Sequence, residues 1–120
     1  MSHKRILINN NFYHIINRGV EKRIIFKKPS DYLYFLQAIR HYQCVHGIKS
    51  KLSRVEKNSK ELKHVCSEKI VEILCYCLMP NHFHILVKQK MDGGITRFMS
   101  QVQNSYVRYF NTKYKRVGTL

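Results

Sequence analysis

Two apolar runs dominate the pattern of this chain. Ile70-Val71-Glu72-Ile73-Leu74-Cys75-Tyr76-Cys77-Leu78 is rich in β-formers, and a second run follows from His82 to Gln89. The Pro80-Asn81 pair splits them, which predicts two strands joined by a tight turn, over residues 70–78 and 82–89. Near the N-terminus, Phe12 to Asn17 reads as a first strand after an Asn9-Asn10-Asn11 turn. Pro29-Ser30-Asp31 marks a helix start, with Ser30 as cap and Asp31 at the positive end of the dipole. Leu33, Phe35, Leu36, Ile39 and Tyr42 keep helical spacing to about His46, and Gly47 is the expected stop. After an Asp92-Gly93-Gly94 turn, Ile95, Phe98, Met99, Val102, Tyr106, Tyr109 and Phe110 form the apolar face of a second helix, expected to end at Gly118. The order β-α-β-β-α gives the α+β class.

Residues 48–69 break this regularity. Lys49, Lys51, Arg54, Lys57, Lys60, Lys63 and Lys69 outnumber the apolar positions. The segment reads as a basic insertion, a solvated linker or an arm that contacts nucleic acid. The chain as a whole is expected to be a single domain over residues 1–120, with apolar content of 44%, enough for a core.

The charge balance narrows the partners. There are 22 Lys and Arg against 7 Asp and Glu, a formal charge of +15. An excess of that size points first to nucleic acid. The absence of an 18-residue apolar run argues against a membrane. With no signal peptide apparent after Met1, a cytoplasmic location and reduced cysteines are expected. Cys75 and Cys77 precede the histidines without the C-x2-C spacing of zinc ribbons, and as members of an apolar strand they are expected to pack as small hydrophobes.

The candidate chemistry lies in His82 and His84. On a strand, residues two apart share a face and stand about 7 Å apart along the backbone. Two imidazoles so placed can converge on one divalent ion and leave it open to water or a phosphate oxygen. Ordinary half-exposed strand histidines show the same spacing, and H-x-H alone does not separate the two.

Leu78-Met79-Pro80-Asn81-His82-Phe83-His84-Ile85-Leu86-Val87 resembles the signature of the HUH single-strand transposases, most closely the REP-associated tyrosine transposases and their insertion-sequence relatives. Tyr13-His14-Ile15-Ile16-Asn17-Arg18-Gly19 with Ile25-Phe26 is similar to that family's first strand and loop. Phe98-Met99-Ser100, Ser105-Tyr106 and Tyr109-Phe110-Asn111 are similar to the helix after the histidines. The resemblance implies a ferredoxin-like antiparallel sheet, βαββα here and lacking the last strand of βαββαβ, with helices on one face. It implies a DNA transposase that cuts and rejoins single-stranded or hairpin DNA through a phosphotyrosine intermediate. His82 and His84 would be metal ligands for Mg²⁺ or Mn²⁺.

His14 and Arg18 match positions near the family's DNA-binding face. Lys22, Arg23, Lys27 and Lys28, with Lys4 and Arg5, are phosphate-contact candidates as a group. A homodimer is a further partner to consider. Tyr106 is the tempting nucleophile, yet it shares the core side of its helix, and the family carries its tyrosine on a later helix beyond a Gly-x-Leu segment like Gly118-Thr119-Leu120. The nucleophile and third metal ligand are therefore expected beyond Leu120, so that this chain alone binds DNA without cutting it. The rival reading is a basic nucleic-acid-binding module with no chemistry.

Overall fold

The computed structural model describes residues 6–45 and 68–120. Its centre is β3 (His82–Gln89), which pairs antiparallel with β1 (Phe12–Arg18) on one side and β2 (Val71–Met79) on the other. Burial along β3 alternates strictly. Phe83, Ile85, Val87 and Gln89 are buried, and His82, His84, Leu86 and Lys88 are half-buried. This period of two is what a sheet covered on one face demands.

The covered face is packed by α1 (Pro29–Tyr42) and α2 (Gly94–Lys113). Phe35 and Ile39 of α1 meet Ile95, Phe98, Val102, Tyr106 and Phe110 of α2 over Phe83, Ile85 and Val87. The result is an α+β fold, a three-stranded antiparallel sheet with two helices in a ferredoxin-like arrangement. No helix among the described residues is long and apolar enough to cross a membrane.

Several boundaries differ from the sequence-based expectation. The cap of α1 is Lys28 rather than Ser30, with Pro29 in the first turn. Asp31 then stands at the third helical position, where its carboxylate accepts the backbone N–H of Lys27 (2.9 Å) and of Lys28 (3.0 Å). Proline's missing N–H does no harm there, and the carboxylate satisfies groups the helix leaves open. At its far end α2 stops at Lys113, short of Gly118, because Lys115 turns to a positive φ of 50°. The predicted stop at Gly47 and most of the basic insertion lie outside the described residues.

β2 holds the largest departure. Ile73 is opposite Val87, but Cys75 is opposite Leu86, so Leu74 is an extra residue that no partner matches. Such a bulge reverses the alternation beyond it. Cys75, Cys77 and Met79 are thereby carried to the open face, opposite Leu86, His84 and His82, and both thiols are exposed. The expectation that they pack as core hydrophobes fails for this reason. Cys44, buried after the end of α1, is disulfide-bonded, against the expectation of reduced cysteines throughout.

The polar groups on the helix side are few and fully engaged. Asp31 is fully buried, and besides the two backbone groups it accepts Lys113 Nζ (2.7 Å), Tyr109 Oη (2.8 Å) and Tyr114 Oη (2.6 Å). Burial by itself would raise its pKa. The Lys113 ammonium, the Tyr114 hydroxyl, the Lys27 amide and the Tyr109 hydroxyl more than offset this and hold it well below the usual carboxylate range. Gln89 is a second example. Its amide nitrogen donates to Leu7 O and Asn9 Oδ1, and its oxygen accepts the Ile95 N–H (3.1 Å) in the first turn of α2.

Candidate metal and nucleic-acid site on the open face

The turn between β2 and β3 is only Pro80-Asn81, and main-chain contacts clasp it. Pro80 O accepts the N–H of Ile25 (2.8 Å) and of Phe26 (3.0 Å), while Asn81 O accepts that of Gly19 (2.9 Å). Gly19 is required by space, since a Cβ there would run into the Arg23 carbonyl. The loop after β1 is thus tied to the turn that launches the histidine strand.

From this turn His82 and His84 project onto the open face, their ring centroids 5.1 Å apart and their planes at 78°. Each has one ring nitrogen occupied. His82 Nδ1 is 2.7 Å from Asn81 Oδ1. His84 Nδ1 is 2.9 Å from Nε2 of His14, reached across from β1, where Ile16 is the residue directly opposite His84. Three imidazoles therefore lie side by side. Sequence reasoning gave His14 a place near DNA and Asn81 a role in the turn; their contacts with the two histidines depend on strand register and were not foreseen. Among the described residues, no group of three or more His, Cys, Asp or Glu side chains is positioned to hold a metal ion.

The basic candidates separate. Arg18 is exposed on the open face, opposite His82. Phe12 and Ile16, both more than half exposed, lie on the same face of β1, with Lys88 over the Phe12 ring. Lys22 and Lys28 are exposed. Arg23 donates instead to Thr119 O (3.0 Å), and Lys27 places its ammonium 4.6 Å from the Tyr114 ring centroid, on the helix side.

Tyr106 is also on the helix side. It is 4% exposed, and its hydroxyl donates to Ile25 O. Burial, together with the nearby Asp31 charge, pushes its pKa up. The other seven tyrosines lie away from the open face too. Tyr13 and Tyr76 are opposite Val87 and Ile85, the helix-facing positions of β3. Tyr32, Tyr34, Tyr42 and Tyr109 are on the helices, and Tyr114 follows α2. A cavity of about 740 Å³ opens beside Tyr106, between the end of β1 and α2. Its lining includes Phe35 and Phe83 of the helix side and, at the end of β1, Arg18; neither His82 nor His84 lines it.

No curated protein and no solved structure matches the chain. A family model described as "Transposase IS200 like" does match, over residues 8–120. That span takes in β1, both helices and the histidine strand, and the chain belongs to the IS200-like transposase family.

Proposed function

We propose that this chain binds single-stranded or hairpin DNA across the open face and that His82 and His84 hold a divalent cation, Mg²⁺ or Mn²⁺, at the phosphate to be cut. The observation that carries the reading is the pair of imidazoles on the central strand of a transposase-family sheet, both with Nδ1 already hydrogen-bonded. Their two Nε2 atoms are left as donors on one face. Two nitrogens and several oxygens from water and phosphate suit Mn²⁺ better than Mg²⁺, which prefers oxygen throughout. Such a cation would polarise a nonbridging phosphate oxygen and stabilise the charge that builds up there.

The chain's own contribution is positioning and charge. Arg18 beside His82, with the wider +15 surface, neutralises phosphates. The exposed Phe12 and Ile16 offer apolar contact to unpaired bases, which a duplex would not present. Among the described residues, no tyrosine hydroxyl lies on this face to serve as the attacking group. A tyrosine that is buried and bound to a main-chain carbonyl, as Tyr106 is, does not ionise or reach the histidines. Strand transfer through a phosphotyrosine therefore needs a hydroxyl from outside these residues, and this chain alone is expected to bind without cutting. In isolation it behaves as the non-catalytic module of the rival reading.

The test uses a labelled hairpin oligonucleotide and a fully paired duplex of the same composition. Hairpin binding should be tighter and, for about six neutralised phosphates, should weaken by roughly a thousandfold between 50 and 200 mM salt. With Mn²⁺ added, a denaturing gel should show no covalent adduct. A flat salt dependence would remove DNA from the reading. An adduct abolished by Tyr106→Phe would place the nucleophile in α2 after all.

A further inference from the structure

We infer that Asn81 and His14 are positioning residues that hold His82 and His84 in the Nδ1–H tautomer, so that both rings turn an Nε2 lone pair toward the cation; the inference rests on the metal-site reading above. An amide oxygen can only accept, so the 2.7 Å contact between His82 Nδ1 and Asn81 Oδ1 puts the ring proton on Nδ1. Between His84 and His14 one nitrogen must donate and the other accept across 2.9 Å. A cation on His84 Nε2 requires Nδ1 to carry the proton, and His14 Nε2 then accepts, with its own proton on Nδ1. The planes of His14 and His84 differ by only 22°, which sets the two rings nearly edge to edge for this exchange.

Both supports are themselves held. Asn81 is fixed through its carbonyl to Gly19, and His14 through the β1–β3 ladder. Imidazoles that ligate metals keep their second nitrogen on a fixed acceptor, which sets the tautomer and raises ligand basicity. Here one acceptor comes from the turn before the first histidine and the other from a neighbouring strand. His14, which the family resemblance sets near the DNA-binding face, is thereby given a role through His84.

The first measurement is a long-range ¹H–¹⁵N spectrum of the metal-free protein at pH 8. It should show pyrrole-type Nδ1 and pyridine-type Nε2 signals for His82, and the same pattern for His84 once Mg²⁺ is added. The second is Mn²⁺ affinity by electron paramagnetic resonance. Asn81→Ala and His14→Ala should each weaken it about 10–100-fold, while His14→Gln, which keeps an acceptor, should recover most of the loss. An Nε2–H signal from His82, or from His84 with Mg²⁺ added, would overturn the assignment, as would alanine variants that bind Mn²⁺ as tightly as the parent. If the unaltered protein binds no Mn²⁺ at all, the metal-site reading fails, and the tautomer spectra still decide this one. Because those spectra need no variant, a misfolded Asn81→Ala does not block the test.

Discussion

The two faces of β3 differ in what holds them in place. On the helix side every group has a packing partner or a hydrogen bond: Phe83 against Phe35, Val87 fully enclosed, and even Asp31 and Gln89 saturated. On the open face the side chains are half exposed and touch mainly one another, through His14, His84, His82 and Asn81. One strand thus carries stability on its odd-numbered residues and candidate chemistry on its even-numbered ones. Partition of this kind lets the site present donor atoms to a ligand without holding the fold together.

The sharpest way to break that contrast is to truncate neighbours. Phe83→Ala should cost about 3–5 kcal/mol in urea unfolding, through lost burial and the cavity left under α1. His84→Ala, one residue on, should cost no more than about 1 kcal/mol, the scale of its one hydrogen bond to His14, and should remove Mn²⁺ binding. Comparable losses at both positions would mean that the open face is structural after all.

A middle-sized effect tests whether polarity or engagement makes the difference. Asp31→Asn leaves the ammonium, hydroxyl and amide donors around it facing a neutral acceptor, and should cost about 1–3 kcal/mol. The pH dependence carries a sign. Because the folded-state pKa is depressed, the contribution of Asp31 is fully present above the unfolded carboxylate value, about 4, and is lost as pH falls below it toward the folded value. Thermal midpoints recorded from pH 6 down to pH 2 should therefore drop more steeply in the parent than in Asp31→Asn. Parallel curves would show that the carboxylate is not the group responsible.

The smallest change in stability is expected at Arg18. Arg18→Ala should leave unfolding unchanged within about 0.5 kcal/mol, yet lower the slope of log affinity against log salt by about one for the hairpin oligonucleotide. An unchanged slope would move the phosphate path off this end of β1.

Much of this was legible in the chain. The alternation through His82-Phe83-His84 settles which side each residue takes, because a strand's period leaves no other choice. Of the apolar positions expected on α2, Ile95, Phe98, Val102, Tyr106 and Phe110 are buried and Met99 and Tyr109 are half-buried. What escaped depends on pairing between distant segments. The bulge at Leu74 has no local mark in a run of apolar residues, so the faces of Cys75 and Cys77 could not be assigned. Asp31 was recognisable as a helix-start carboxylate, but Tyr109, Lys113 and Tyr114 lie 78 to 83 positions further on. His14 and His84 are 70 residues apart, and only strand register brings them into contact.

The clasp at Pro80-Asn81 bears on how such a sequence can change over time. It is made by Ile25, Phe26 and Gly19 N–H groups meeting two carbonyls, so its bonds depend on chain path and not on which side chains the loop carries. Exposed loop positions such as Val20 and Ile24 can therefore drift in size and charge while the histidine turn stays fixed. Gly19 is an exception, since it needs the space that a Cβ would fill, and so are Ile25 and Phe26, whose side chains are in the core. A loop that keeps Gly19, Ile25 and Phe26 and leaves its exposed positions free can acquire new nucleic-acid contacts by ordinary substitution, leaving the placement of the histidines inherited and unchanged.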